Sequence, residues 1–318
     1  MDGDSELVTI PPTFDDQLDD PDPRSPDREP HVGREPLGVG MTDDKIDGAA
    51  LDGVAATCLW TLRNRAEESM HPGSAFHDPL AERLCRRIDY DYERFGKPSQ
   101  THPLRALTLD LAIRDYLDRH PAATVVALGE GLQTTYWRLG RPGIDWLSVD
   151  LPPVIDLRTR LLPQEPRMTA IPASALDRTW MNVPDPARGV FISAEGLFMY
   201  FERDQVMSLI ADCAARFPGG RLFFDSIPAL FRNRTLKGYR MSARYTAPPM
   251  PFSLSVSEAA RLPTQIPGVA TAEELQPPPG RKAWRSRTLR KIAALPGPRD
   301  LRPSVTLLSF ADQHGQSR

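Results

Sequence analysis

This 318-residue sequence has little that would build a metal site, a disulfide framework or a membrane anchor. Its three cysteines, Cys58, Cys85 and Cys213, are widely spaced and form no C-x-x-C, so buried, reduced thiols in a cytoplasmic setting are expected, with no metal ligands. No apolar run reaches the ~20 residues a membrane span requires, and the opening MDGDSELVTI is acidic where a signal peptide is basic. Net charge is also small, −3 with 25% charged residues, which leaves no strong field to attract a polyanion and argues against nucleic acid as a default partner.

What is present changes character along the chain. Residues 1–41 are rich in Asp, Pro and Gly (TFDDQLDDPDPRSPDREP), with too few large apolar groups to offset the entropy of ordering them, so they read as a disordered tail. Helical spacing begins near Ile46 in IDGAALDGVAATCLWTLRNRAEES. It resumes in HDPLAERLCRRI, which opens on Asp78-Pro79, and in PSQTHPLRALTLDLAIRDYLDRH, which ends before Pro121. The period then changes. TVVALGEG, IDWLSVDLP, RMTAIPASALD, GVFISAEGLFMY and RLFFDSIP read as strands, with PPVIDLRTRLL and Glu202 to Phe217 as intervening helices. Residues 231–263 are rich in Arg, Pro and Tyr and poorly periodic, as expected of an insertion or lid; IPGVATAEEL and SVTLLSF then complete the sheet around SRTLRKIAAL. The alternation predicts an α/β, doubly wound, Rossmann-like sheet of about seven strands.

In such a sheet ligands bind beyond the carboxyl ends of the strands, which directs attention to three turns. Gly129 and Gly131, in LGEGL, allow backbone to approach a ligand, although such a pair also serves as a plain tight turn. Asp150 follows the second strand and can accept both hydroxyls of an adenosine ribose, or cap a helix. Thr134 occupies the third glycine position of G-x-G-x-x-G, so a pyrophosphate lacks its seat while an adenosine sulfonium ligand needs none. Glu195 ends the fourth strand inside an apolar run, where it either meets a ligand's cationic end or pairs with an arginine. Asp177 is placed to meet an adenine amino group or to cap DRTWMN.

At these residues the sequence resembles the leucine carboxyl methyltransferase family, which includes bacterial O-methyltransferases of polyketide pathways. The resemblance is carried by VVALGEGLQTTYWRL, WLSVDLPPVIDLRTRLLP, SAEGLFMYFERDQV and ARFPGGRLFFDSIP, with FHDPLAERL and LRALTLDLAIRDYL upstream. It implies a class I methyltransferase domain over 42–318: a helical cap (42–120), a donor-binding core (121–228), and a lid with closing strands (229–318). The implied donor is S-adenosylmethionine. Gly129 and Gly131 would line its methionine part, Asp150 its ribose, Leu176 and Asp177 its adenine, and Glu195 its amino-acid end. Arg105 stands where the family has an arginine for the donor carboxylate, with Arg63 or Arg65 the nearest match to a second. Without the family these arginines read as solvated helix charges. The chain departs from the pattern at Glu130, where the family usually has a small residue, and at Gln133.

The expected reaction is methylation of an oxygen, a carboxylate or hydroxyl, on a small-molecule acceptor. A carboxylate is already ionised at pH 7, whereas a phenol with a pKa near ~10 gains from a base. No base stands out, since His71, His77 and His102 read as surface or structural residues. Tyr200, Tyr245, Arg240 and Arg244 are acceptor-side candidates by position. Two alternatives remain at this point: a donor-binding member that has lost transfer and acts as an interaction protein, and an NAD-dependent oxidoreductase.

Overall fold

Side chains alternate across the central strands so that both faces are apolar. In β1 (Thr124–Leu128), Val126 and Leu128 pack in one cluster while Val125 and Ala127 pack in another on the opposite side. The same alternation runs through β4 (Val190–Ala194) and β5 (Arg221–Ser226), where Phe191 and Phe223 face away from Ile192 and Phe224. A strand with two apolar faces is stable only between helical layers, and this is how the computed structural model, which describes residues 45–312, arranges them.

With β2 (Asp145–Asp150), β3 (Met168–Pro172), β6 (Val269–Leu275) and β7 (Ser304–Phe310), the described residues form a seven-stranded sheet in the order β3-β2-β1-β4-β5-β7-β6. The first five strands are mutually parallel and β7 is antiparallel to both neighbours. Strand order reverses between β1 and β4, so a crevice opens at their carboxyl ends. The edge strand β3 is mostly exposed. The expected doubly wound sheet is therefore present.

The helices that precede the sheet are α1 (Thr57–Met70), α2 (Pro79–Arg87) and α3 (Thr101–Arg119). Asp78 starts α2, accepting from the Ala81 N–H at 3.0 Å, with Pro79 in the first turn where its missing N–H costs nothing. Between strands lie the one-turn α4 (Thr135–Arg138), α5 (Pro152–Leu161) and α6 (Arg203–Arg216), the last closed at its start by the Glu202 N–H donating to the Gln205 side chain. After β5 comes α7 (Ala229–Leu236).

Three expectations change. Helix does not begin near Ile46: Ile46–Asp47 pairs in parallel with Ile88–Asp89, Asp47 caps a short 3-10 turn, and Gly53 takes φ +51°, so α1 starts only at Thr57. GVFISAEGLFMY is a strand only to Ala194, because Gly196 at φ +67° turns the chain. The segment 231–263, read as an insertion or lid, is partly core: Phe252 and Leu254 are buried there, and their N–H groups donate to the Met199 and Ile227 carbonyls, both at 3.3 Å. The expected tail, 1–41, lies outside the described residues. No helix among the described residues is long and apolar enough to cross a membrane.

Candidate functional site

A cavity of about 280 Å³ occupies the crevice where strand order reverses. Its floor is the turn after β1, where Gly129 and Gly131 take φ +59° and +56°. A Cβ at either position would be strained by that backbone and crowded by a neighbour. At Gly129 it would sit 2.7 Å from a Leu197 methyl, and at Gly131 3.0 Å from the Cys58 side chain.

Asp150, at the end of β2, enters this cavity. One carboxylate oxygen accepts from the Gly131 N–H and the other from the Leu151 N–H, each at 2.7 Å. A carboxylate offers about four acceptor sites, so two remain. Burial raises the Asp150 carboxyl above its ordinary range. Asp150 thus fastens the glycine turn and lines the cavity; it does not cap α5, whose N-cap is Leu151 without a side-chain bond.

Across the cavity, Arg105 of α3 reaches the ends of two strands. Its Nε donates to Glu195 at 2.8 Å and its Nη1 to Asp225 of β5 at 2.7 Å. All three side chains are buried. Burial opposes the guanidinium charge, but Asp225 and Glu195 outweigh it and raise the Arg105 pKa. The remaining nitrogen, Nη2, lies 3.1 Å from where a Cβ on Gly196 would stand, which explains the glycine there. Glu195 also accepts from Gln133 at 2.8 Å. The arginine-paired reading of Glu195 is what the structure shows, and the pair itself forms the cavity wall.

Other sequence candidates lie elsewhere. Arg63 is spent on the Tyr92 and Gly96 carbonyls and on Glu93. Arg65 is fully buried behind the glycine turn, held by Asp78 at 2.6 Å and by the Leu132 carbonyl at 2.7 Å. Asp177 is exposed and caps the following 3-10 turn through the Thr179 N–H at 3.0 Å, which also lowers its pKa. Leu176 packs against the core, and it is Ala173–Ala175, just after β3, that line the cavity in place of the pair Leu176 and Asp177. Of the acceptor-side candidates only Tyr200 lines it. Tyr245 packs with Trp60 and Phe95, Arg240 donates to the Ala243 carbonyl, and Arg244 pairs with Asp91.

Asp225 and Arg158 were missed. Asp225 carried the signal used for Glu195, an acid inside an apolar strand (RLFFDS), whereas Arg158 looks like any helix-surface charge until α5 is docked. Glu130, the departure from the family pattern, is paired with Arg158 at 2.7 Å.

The wall can take an amino-acid sulfonium. Beside the internally paired Glu130 it carries Asp150, Glu195 and the single cation Arg105, with Asp225 behind, an excess of negative charge that attracts a net cation and repels a pyrophosphate. No histidine among the described residues lines it. His102 is buried, bonded to Asn64 at 2.6 Å, and burial drives its pKa well below the ordinary value, so it is neutral. Burial also pushes the Cys58 thiol up to about 12 and raises the Tyr200 phenol, so both stay protonated.

Comparison with known proteins agrees with this geometry. Residues 58–214 match the leucine carboxyl methyltransferase family. The chain is 31% identical over 228 residues to the tetracenomycin polyketide synthesis O-methyltransferase TcmP of Streptomyces glaucescens, covering 70% of this chain and 83% of that one. It is 26% identical over 260 residues to the S-adenosylmethionine-dependent methyltransferase dpfgK of Gibberella zeae, covering 74% and 86% respectively.

Proposed function

The chain belongs to the leucine carboxyl methyltransferase family and is an S-adenosylmethionine-dependent methyltransferase, and on that premise we propose that it methylates an oxygen, carboxylate or acidic hydroxyl, of a small-molecule acceptor. The observation that carries this reading is the single cavity wall holding Asp150, the glycine turn and the Arg105–Glu195 pair. On this reading Asp150 accepts from the ribose hydroxyls, Nη2 of Arg105 meets the donor carboxylate, and Glu195 faces the ammonium. Ala173–Ala175 cover the adenine.

Bound S-adenosylmethionine supplies an electrophilic methyl group on a sulfonium. The protein's part is to fix that group, exclude water and align the acceptor, which are the terms that dominate a displacement of this kind. With Cys58 and Tyr200 protonated, Glu195 and Glu130 paired to arginines and Asp150 given to the ribose, no lining residue among the described ones is left over as a base. That favours an acceptor oxygen already anionic at neutral pH. TcmP, named for polyketide synthesis, supports an acceptor from secondary metabolism.

The two alternatives lose their support. An inactive interaction protein would draw on the departure at Glu130 and on the faint family likeness after Pro228; Glu130 is paired with Arg158, and the curated relatives are methyltransferases. An NAD-dependent oxidoreductase would set a pyrophosphate against the excess carboxylates. Calorimetric titration with S-adenosylmethionine, S-adenosylhomocysteine and NAD tests the reading: micromolar binding of the first two is expected, and binding of NAD alone would overturn it.

A further inference from the structure

The turn that faces the donor is gripped from behind by two buried guanidinium groups. Arg158, from α5, donates from Nη1 to the Gly131 carbonyl at 2.7 Å and to the Gln133 carbonyl at 3.1 Å. Arg65, from α1, takes the carbonyl between them, Leu132, at 2.7 Å. Three consecutive carbonyls are thus held by two cations from two different helices, while the N–H of Gly131 donates to Asp150 and the side chain of Gln133 to Glu195.

Each guanidinium is held by a buried carboxylate, Asp78 being shared with Arg138. Arg65 has Asp78, and Arg158 has Glu130, whose carboxylate also accepts from the Trp146 indole at 3.2 Å and from the Ser148 hydroxyl. Glu130 is 6% exposed and Arg158 4%, so neither can exchange its partner for water. An unpaired charge at this depth would be costly, and the site would shed it by moving.

We propose that Glu130 is a positioning residue for donor binding: it fixes Arg158, Arg158 fixes the carbonyls of Gly131 and Gln133, and the turn is thereby preset before the donor arrives. The inference rests on the donor reading above and concerns a position where the family usually has a small residue. A preset turn costs less ordering on binding, so the effect falls on affinity.

The test is calorimetric titration of the full chain with S-adenosylmethionine and S-adenosylhomocysteine, alongside thermal melts without ligand. Wild type is compared with Glu130→Gln, Arg158→Lys and the double variant Glu130→Gln/Arg158→Met. Arg158→Lys keeps the charge, but one nitrogen on an unbranched stem cannot stand both where Nη1 meets the two carbonyls and where Nη2 meets Glu130. The double variant removes both charges and with them the uncompensated one. Dissociation constants are expected to rise about tenfold in all three, the scale of a displaced positioning contact, with the melting temperature largely kept in Arg158→Lys and recovered in the double variant. Wild-type affinity in Arg158→Lys would overturn the proposal, as would affinity that returns with stability in the double variant. Absence of binding by wild type would instead sink the donor reading itself.

Discussion

Arg105 and Glu195, 90 residues apart in sequence, meet at 2.8 Å in the cavity wall and join a helix that precedes the sheet to the end of β4. The pair is not isolated, since Nη1 of the same guanidinium holds Asp225. Arg105→Lys cannot reach both carboxylates. It should weaken S-adenosylmethionine binding at least ~10-fold, about 1.4 kcal/mol, while Arg105→Met should in addition destabilise the fold by ~3–5 kcal/mol by leaving two buried carboxylates without their cation. Titration and denaturant melts check both figures. Donor affinity unchanged in Arg105→Lys would remove the arginine from the donor site.

Asp150 and Asp177 were both candidates for the adenosine end, and the structure separates them. Asp150→Ala should abolish measurable donor binding, because it removes the ribose acceptor and the anchor of the Gly131 N–H together. Asp177→Ala should leave donor affinity within about twofold and cost only the ~0.5–2 kcal/mol of a lost cap. Parallel titrations decide, and a large loss in Asp177→Ala would move the adenine site.

Gly129→Ala carries a sharper steric expectation than an ordinary loop substitution. The new methyl has to be accommodated at φ +59° and 2.7 Å from Leu197. A left-handed residue with a Cβ costs ~1–2 kcal/mol, and relief of the clash pushes the turn into the cavity. Reduced thermal stability is expected together with weaker binding; wild-type behaviour in both would show that the turn adapts freely.

The pH response should split into two windows. Burial raises the Asp150 and Glu130 carboxyls above their ordinary 3.8 and 4.5, so both take up protons before ordinary carboxylates as pH falls. Protonation relieves their burial and does not unfold the chain, but it removes the ribose acceptor and weakens the hold on Arg158. Asp78 behaves oppositely: burial opposes its charge, but Arg65 and Arg138 outweigh burial and hold it below 3.8. Its contribution to stability is present above 3.8 and is lost only as pH falls through that lower value. Donor affinity should therefore decline at a higher pH than the fold, and coincident loss in titration and circular dichroism would contradict this assignment.

The strands and most helices could be read from period alone, because a buried parallel strand and an amphipathic helix differ in the spacing of their apolar residues. The glycine turn and Asp150 could be read for the same reason, since strand ends are local features. What could not be read was pairing. Arg63, Arg65 and Arg105 look alike in sequence, all on helices, yet one binds loop carbonyls, one braces the turn and one faces the cavity. Which does which depends on how α1 and α3 dock, a tertiary fact with no local signature. Tyr245, Arg240 and Arg244 lie outside the cavity lining for a similar reason: the segment 231–263 is irregular in sequence, as an insertion or lid would be, and where its side chains pack depends on Phe252 and Leu254 entering the core.

The position of β7 has a bearing on synthesis. β6 is joined to the sheet only through β7, which is made after it and enters between β5 and β6. While the chain grows from its N-terminal end, the turn after β1, Asp150 and Glu195 are all made before Ser304 emerges, and β5 meanwhile presents an open edge carrying Leu222, Phe223 and Phe224. An unpaired edge of that composition invites association with other chains. The last strand is thus also the one that hides the most adhesive edge of the nascent chain, and a nonsense change just ahead of Ser304 would be felt first as aggregation.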